Sequence, residues 1–556
     1  MTFMAKISRF LQAATSPVKK ELVFFVLVFL MLIQQPIEWL FLSHEDTWLC
    51  IWKFVQGLII ELGVVYTATA LVSRCGRKWF KGVMYSFFWM LMSVTYFLVL
   101  NFDMCISQQT LTVMVETTSQ ESGEFIDTYM FTAESLWSYA IDLAVAALII
   151  VAECRRNAVK RALRRCLNRR WLKGIVGACS CLGVLLMLTC YTTLAFCNNS
   201  QYVGRWREFF PHDSLDPFSQ TLHAVNSLRA YANDVDYAVE VARKVYKTHP
   251  SVTESEPLTV VYVLGESYNK HHAGIYGYGL NTTPNMAREQ KNGNLFVFTD
   301  VVNFENFTST MEKNTFCLNS VSNDEYWFDY PNFTTVFKRA GYDVWMWDIQ
   351  RTFMERRMFT ITVNAYVYQP ELMKLSYTET NKEKLNLDGE LVNDFKANAR
   401  FTNKFNLVVF HLIGQHVSYD YRYPPSRAHF TADSIKRNED YMDREHKETV
   451  AYYDNATRYN DEVINRIIDT IRDKNAVLVY MSDHGEEVYD YRNHRGRNMS
   501  YYPTPESLKY QNQSPFVVWC SDRYIELHPE VVERIKASVD RPYMTDVVGH
   551  LLLTLG

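Results

Sequence analysis

The sequence predicts an α-helical membrane domain with five transmembrane helices, followed by a soluble α/β domain with a mostly parallel central sheet. Five long apolar stretches lie within residues 1–197, and short β-branched runs alternate with helical patterns after residue 257. Residues 1–197 carry 18 Lys/Arg against 13 Asp/Glu, whereas residues 198–556 carry 39 against 48. The net charge of −4 excludes a polybasic nucleic-acid binder, and the 48% of apolar residues excludes a disordered chain.

Each apolar stretch is long enough to cross a bilayer. About 20 helical residues span a hydrocarbon core of about 30 Å. The first stretch is too long for a signal peptide, and further stretches follow it. A buried core helix is the alternative for any one of them, but five in succession favour a membrane domain. The stretches cover residues 22–42, 54–72, 82–100, 136–152 and 174–196.

Positive charge alternates between the loops of this domain. Lys and Arg are concentrated before the first stretch, between the second and third, and between the fourth and fifth, whereas the two remaining loops are acidic. Positively charged loops stay in the cytoplasm. The N-terminus is therefore predicted to be cytoplasmic, and the C-terminal domain is predicted to lie on the opposite side of the membrane.

Residues 198–257 are polar and have a helical pattern. Asp216 and Pro217 supply an N-cap and a first-turn proline, and residues 218–246 continue without Pro or Gly. This segment is predicted to be a helical bridge that lies against the membrane surface.

The soluble domain is predicted to comprise residues 258–556. Its apolar runs lie at 259–264, 342–347, 406–412, 476–481 and 516–519. Runs of this length suit strands that are buried on both faces, as in a parallel sheet. Only two of the 11 cysteines, Cys317 and Cys520, fall in this domain, so no disulfide scaffold is expected.

Polar residues that can bind metals follow three of these runs. Glu266 follows the first run, His416 the third, and Asp483 and His484 the fourth. Ligands of open α/β sheets bind outside the carboxyl ends of the strands, so these side chains are predicted to converge. Two carboxylates and an imidazole suit Zn²⁺ or Mn²⁺. His494 follows His484 by ten residues and lies in a polar loop, so it is placed to return to the crevice where these side chains converge.

The chain resembles the phosphoethanolamine transferases that modify lipid A and the lipopolysaccharide core, which belong to the alkaline-phosphatase/sulfatase superfamily. Five spans followed by a periplasmic catalytic domain match that family over essentially the whole chain. The motifs that carry the resemblance are Glu266 after a strand, Thr308-Ser309-Thr310, Gly414-Gln415-His416 and Ser482-Asp483-His484-Gly485-Glu486.

The resemblance implies transfer of phosphoethanolamine from phosphatidylethanolamine of the lipid bilayer to a lipopolysaccharide acceptor, either a lipid A phosphate or a core sugar. The reaction would pass through a phospho-threonine intermediate at the outer face of a bacterial inner membrane. The nucleophile would be Thr310, the last residue of its triplet, and His416 and His494 would hold phosphate or a second zinc ion. The implied zinc ligands, for one ion or possibly two, are Glu266, Thr310, Asp483 and His484.

Two other kinds of function stay open at this point. A glycerol-phosphate polymerase or a phosphodiesterase of the same superfamily would use much the same site. A sulfatase is disfavoured, because no Cys or Ser lies in the C-x-P-x-R context that forms its oxidised nucleophile. A membrane-tethered binding protein with an inactive hydrolase fold would lack one of the four implied zinc ligands, and all four are present.

Overall fold

The structure is a computed structural model, and it describes most of the chain. The described residues pack into two compact units, which divide between Asn233 and Asp234. The predicted domain boundaries at 197/198 and 257/258 stay predictions. The described residues are 3–33, 47–102, 104, 106–107, 110–111, 114, 122–123, 125–126, 129–166, 170–197, 217–323, 325–351, 366–497 and 504–556.

The first unit is helical. Four of its described helices contain segments that are long and apolar enough to cross a membrane, namely Phe54–Cys75, Lys78–Phe102, Ala133–Cys154 and Ile175–Ala195. The helices are α1 (Phe3–Lys20), α2 (Leu22–Leu32), α3 (Thr47–Cys75), α4 (Lys78–Phe102), α5 (Ala133–Cys154), α6 (Arg156–Cys166), α7 (Arg170–Ala195) and α8 (Pro217–Val245), the last of which continues into the second unit.

The predicted count of five spans is not confirmed. The first predicted span, residues 22–42, corresponds to α2, which has 11 residues and is too short by itself to cross a bilayer. Residues 34–46 of that span lie outside the described residues. The helix predicted over 218–246 is confirmed as α8, although its predicted N-cap, Asp216, also lies outside the described residues. The position of α8 at a membrane surface stays a prediction.

Two glycines bring α3 and α7 into close contact. A Cβ atom built on Gly63 would lie 2.4 Å from the backbone of Gly183, and one built on Gly183 would lie 2.2 Å from the carbonyl oxygen of Ile59. Small residues allow the backbones of membrane helices to approach this closely. A larger residue at either position would force the two helices apart.

The second unit is an α/β domain. Its two cysteines, Cys317 and Cys520, are buried and unbridged. The strands are β1 (Leu258–Gly265), β2 (Leu295–Val297), β3 (Val301–Val302), β4 (Asp343–Asp348), β5 (Glu379–Thr380), β6 (Phe405–His411), β7 (Ala476–Ser482), β8 (Glu487–Val488), β9 (Arg495–Gly496), β10 (Phe516–Cys520) and β11 (Tyr543–Met544). The helices are α9 (Pro284–Asn292), α10 (Thr308–Phe316), α11 (Phe333–Ala340), α12 (Pro370–Ser376), α13 (Asp388–Asn398), α14 (Arg444–Ile471), α15 (Pro505–Asn512), α16 (Asp522–Leu527), α17 (Pro529–Lys536) and α18 (Val548–Leu555).

A seven-stranded sheet with the order β2-β10-β7-β1-β6-β4-β5 forms the centre of this domain. β1 pairs in parallel with β6 and β7, and β4 pairs in parallel with β6 and β5. β10 is antiparallel to both β7 and β2. The sheet is therefore mixed but mostly parallel, which agrees with the predicted class except at β10.

The central position of β1 determines where polar side chains can meet. All eight residues of β1 are buried, as expected of a continuous apolar run that is covered on both faces. Leu264 of β1 pairs with His411 of β6, and Gly265 pairs with Ser482 of β7. The three strands thus end side by side, and the residues after them share one edge of the sheet.

Candidate metal centre

Three predicted ligands meet at this edge. Glu266 follows β1, and Asp483 and His484 follow β7. Nε2 of His484 lies 3.1 Å from Oε1 of Glu266 and 3.1 Å from Oδ2 of Asp483. One ligand atom from each residue lies within 4.8 Å of those of the other two, and all three side chains are fully buried. The structure therefore brings together the three side chains that the strand endings indicated.

Hydrogen bonds orient each of these side chains. Asp483 Oδ1 accepts from the backbone N–H groups of Ser267 (3.1 Å) and His484 (2.7 Å). The Ser267 hydroxyl donates to Glu266 Oε1 at 2.8 Å. His484 Nδ1–H donates to the carbonyl oxygen of Gly485 at 2.7 Å, which directs Nε2 toward the two carboxylates. A second ring nitrogen held by a carbonyl is typical of metal-binding histidines.

One buried atom indicates that this cluster suits a cation. Asp483 Oδ2 accepts no hydrogen bond from the described residues. A buried carboxylate oxygen without such a partner is energetically costly. A metal ion bound among Glu266, Asp483 and His484 would satisfy it, and this donor set of two oxygens and one nitrogen fits Zn²⁺.

The charges at the cluster are strongly coupled. Burial would raise the pKa of Glu266, but His484, with His416 and Arg497 further out, holds it well below its usual range. Burial and Arg497 would lower the pKa of His484, but Asp483 and Glu266 outweigh them and raise it to about 9. The carboxylate of Glu266 is thus ionised at neutral pH, and a bound metal would displace the proton of His484 Nε2.

A glycine allows the loop after β6 to pack against the cluster. Gly414 has a φ of +48°, and a Cβ atom at this position would lie 2.6 Å from the carbonyl oxygen of Glu266. The same carbonyl accepts from the N–H of Gln415 at 3.0 Å. Only glycine fits here without strain, which explains the first residue of the Gly414-Gln415-His416 motif.

The hydroxyl that the structure places at this cluster belongs to Thr308, two residues before Thr310, which the resemblance indicated as the nucleophile. The hydroxyl of Thr308 donates to Glu266 Oε2 at 3.1 Å and lies 3.4 Å from His484 Nε2. Thr310 is two residues further along α10, and helical residues two apart point about 200° away from each other. Thr310 uses only its backbone groups in hydrogen bonds with the described residues. Its N–H donates to the carbonyl oxygen of Phe307, and its carbonyl oxygen accepts from the side-chain amide of Asn314.

The two outer histidines have different positions. His416 directly follows Gln415, whose N–H donates to the carbonyl oxygen of Glu266, so it lies beside the cluster. Its Nδ1 is buried and has no hydrogen-bond partner among the described residues. His494 lies between β8 and β9, where its carbonyl oxygen accepts from the N–H of Tyr489 at 2.9 Å. A catalytic role for His494 stays a prediction.

Arg497 is a member of the site that sequence reasoning missed. Its Nη1 lies 2.8 Å from His484 Nε2 and donates to the carbonyl oxygen of Asn306 at 2.9 Å, while the guanidinium lies 5.2 Å from the centre of the Phe307 ring. Arg497 is three residues beyond His494 in the same loop. A guanidinium has the planar geometry that binds phosphate oxygens. The only signal in the sequence was the high density of arginines in residues 492–497.

Comparisons with known proteins identify the family and related folds. The sequence model of the sulfatase family matches residues 258–547. A phosphoethanolamine transferase, EptC of Escherichia coli strain K12, is 27% identical over 458 residues, which cover 80% of this chain and 74% of EptC. The integral membrane protein lipooligosaccharide phosphoethanolamine transferase A of Neisseria meningitidis has a similar fold, with a TM-score of 0.54 and 16% identity, over 98% of this chain and 94% of that protein.

Proposed function

The chain belongs to the sulfatase family, and we propose that it transfers phosphoethanolamine from phosphatidylethanolamine to a lipopolysaccharide acceptor, a lipid A phosphate or a core sugar. The observation that carries this proposal is the hydroxyl of Thr308 held against Glu266 and His484. EptC, whose sequence matches most of this chain, is a phosphoethanolamine transferase, which supports phosphoethanolamine as the transferred group. A phospho-enzyme route through Thr308 then links donor and acceptor in two steps.

Glu266, Asp483, His484 and the Thr308 oxygen would together hold one zinc ion. A bound Zn²⁺ lowers the pKa of a coordinated hydroxyl strongly and so supplies a nucleophile at neutral pH. Thr308 is also the first residue of α10, a nine-residue helix. The positive end of the helix dipole favours both the ionised hydroxyl and the phosphoryl group that it attacks.

In the first step, a bond forms between the Thr308 oxygen and phosphorus, and the bond from phosphorus to the diacylglycerol oxygen breaks. The hydroxyl proton is released to solvent, and His416 protonates the leaving oxygen. In the second step, the acceptor oxygen bonds to phosphorus and the bond to Thr308 breaks. His416 recovers its proton from the sugar hydroxyl or from the protonated oxygen of the acceptor phosphate, and Thr308 takes one from solvent.

Arg497 is placed to neutralise the phosphoryl oxygens during both steps. Its guanidinium lies at His484 and is fixed by the carbonyl oxygen of Asn306 and the ring of Phe307. Phe307 and Asn306 directly precede Thr308 in the chain. Charge-assisted hydrogen bonds from such a fixed group stabilise the charge that develops on the transferred phosphoryl group.

The membrane unit suits a lipid donor. Four apolar helices of the described part are long enough to span a bilayer, and a fifth span over residues 22–42 is part of the proposal. With the N-terminus in the cytoplasm, five crossings put the catalytic domain in the periplasm. A domain tethered to the inner membrane meets phosphatidylethanolamine at high effective concentration.

Mass spectrometry of lipopolysaccharide tests the proposal. We expect a phosphoethanolamine adduct in cells that express the wild type or Thr310→Ala, and none in the deletion strain or in cells that express Thr308→Ala. An adduct that persists with Thr308→Ala would exclude Thr308 as the nucleophile. Instead, a glycerol-phosphate adduct would assign the chain to the other transferase chemistry of the superfamily.

A further inference from the structure

A second cluster of buried charged side chains lies close to the proposed metal ligands. His411, the last residue of β6, bridges two carboxylates from different elements. Its Nδ1 lies 3.0 Å from Oδ1 of Asp348 at the end of β4, and its Nε2 lies 3.0 Å from Oε1 of Glu312 in α10. At most 6% of any of these three side chains is exposed. The mechanism proposed above uses none of them.

The charges of this group are complementary. Burial would lower the pKa of His411, but Glu312 and Asp348 outweigh it and raise the pKa to about 10. The imidazole therefore carries a proton on both nitrogens at neutral pH and forms an ion pair with each carboxylate. Asp348 is held further by the hydroxyl of Tyr368 at 2.6 Å and by the N–H of Gln350 at 2.7 Å. These hydrogen bonds hold Asp348, the carboxylate that the sheet contributes to the bridge, in place.

Two connections join this bridge to the site. Glu312 follows Thr308 by four residues in α10, so the two side chains lie on the same face of the helix, one turn apart. The side-chain amide of Gln350 donates to Glu266 Oε2 at 3.3 Å and to the carbonyl oxygen of Leu412 at 2.9 Å. Residues at the ends of β4 and β6 thus contact both α10, which carries the proposed nucleophile, and Glu266, a proposed metal ligand.

We propose that His411 is a positioning residue whose ion pair with Glu312 sets the rotation of α10, so that Thr308 and not Thr310 faces the metal ligands. This inference rests on the proposed function. The buried side chains of α10, such as Met311 and Phe316, supply apolar packing, which is non-directional. The ion pair, in contrast, holds one particular atom, Oε1 of Glu312, 3.0 Å from Nε2 of His411. The bridge through Glu312 therefore specifies the helix face that apolar packing alone leaves loosely defined.

Cobalt substitution of the full-length protein tests this inference without any need for turnover. Co²⁺ is bound to the wild type, Thr308→Ala, Glu312→Ala and Glu312→Gln, and its visible absorption spectrum reports whether the threonine oxygen is a ligand. We expect Glu312→Ala to give the spectrum of Thr308→Ala. Glu312→Gln should give the wild-type spectrum, because its amide oxygen still accepts from His411.

A matched control separates positioning from stability. Glu289→Ala also removes a buried, paired carboxylate from a helix of this domain, since Glu289 pairs with Arg472 and accepts from Trp519. We expect Glu289→Ala and Glu312→Ala to lower the melting temperature comparably, and only Glu312→Ala to change the cobalt spectrum. A wild-type spectrum for Glu312→Ala would overturn the inference.

Transfer kinetics give a second readout. A misplacement of about 1 Å costs about 100-fold in rate, so we expect Glu312→Ala to lower kcat by at least that factor and to leave the KM for phosphatidylethanolamine unchanged. An unchanged kcat would contradict the inference. If the wild type binds cobalt but transfers nothing, the proposed function fails, and the cobalt spectra still decide the role of Glu312.

Discussion

A buried histidine that contacts two carboxylates, one of them in the loop that leads to Arg497, should make the domain less stable at alkaline pH. His272 contacts Asp454 through Nδ1 at 2.7 Å and Asp490 through Nε2 at 3.0 Å. Burial would lower its pKa, but the two carboxylates raise it from 6.5 to about 10. Asp490 belongs to the loop that continues to Arg497. Deprotonation of His272 would therefore loosen the loop that carries the proposed phosphate-binding residue.

The size and sign of the effect follow from this pKa. The folded state binds the proton more tightly than the unfolded state, so the stabilisation is complete below pH 6.5 and is lost as the pH rises through about 10. Each tenfold difference in proton affinity is worth about 1.36 kcal/mol, which limits the loss between pH 7 and pH 10 to about 4 kcal/mol. For a domain of this size, that loss corresponds to roughly 8 °C in Tm.

Thermal melting of the full-length protein in detergent, at pH 7 and pH 10, measures this loss. The reference is the double variant His272→Gln/Asp490→Asn, which removes the imidazole together with one of its carboxylates. We expect the Tm of the wild type to fall by several degrees more than the Tm of the double variant over this interval. Parallel falls for the two proteins would refute the assigned charge of His272.

Three further outcomes are expected. Thr308→Ser should retain transfer activity within about tenfold of the wild type, because a hydroxyl is kept, whereas Thr308→Ala should lose at least about 10³-fold in kcat in an assay with labelled phosphatidylethanolamine. Chelation of metal should lower the Tm. Zinc at about 1,000 times its Kd should restore about 4 kcal/mol of stability, measured by denaturant titration. No change in Tm on chelation would argue against a metal at Glu266. Gly414→Ala should destabilise the domain by about 1–3 kcal/mol, because of its positive φ and the close approach to Glu266, and should weaken zinc binding in a competition titration.

The proximity of Glu266, Asp483 and His484 could be predicted from the sequence because strand endings obey simple rules. Buried apolar runs at 259–264 and 476–481 mark neighbouring parallel strands, and their polar endings must meet at one edge. Glu266, Asp483 and His484 do meet there. The antiparallel direction of β10 was not predictable, because a short apolar run carries no information about the direction of its strand.

The choice of hydroxyl could not be made from the sequence. Three hydroxyl residues in succession at a helix start are equivalent in composition, and only the orientation of α10 distinguishes them. We propose above that the contact between Glu312 and His411 sets this orientation, and these two residues are almost 100 positions apart in the sequence. Arg497 was missed for a similar reason, since the turn between β8 and β9 decides which loop residue reaches the cluster.

The most direct test of the proposed chemistry is to locate the phospho-enzyme on the chain. The full-length protein is mixed with phosphatidylethanolamine in the absence of acceptor and quenched, and its peptides are mapped by tandem mass spectrometry. We expect phosphoethanolamine on Thr308. Phosphoethanolamine on Thr310 would contradict a covalent route through Thr308. The same conclusion would follow if the protein released diacylglycerol but yielded no modified peptide.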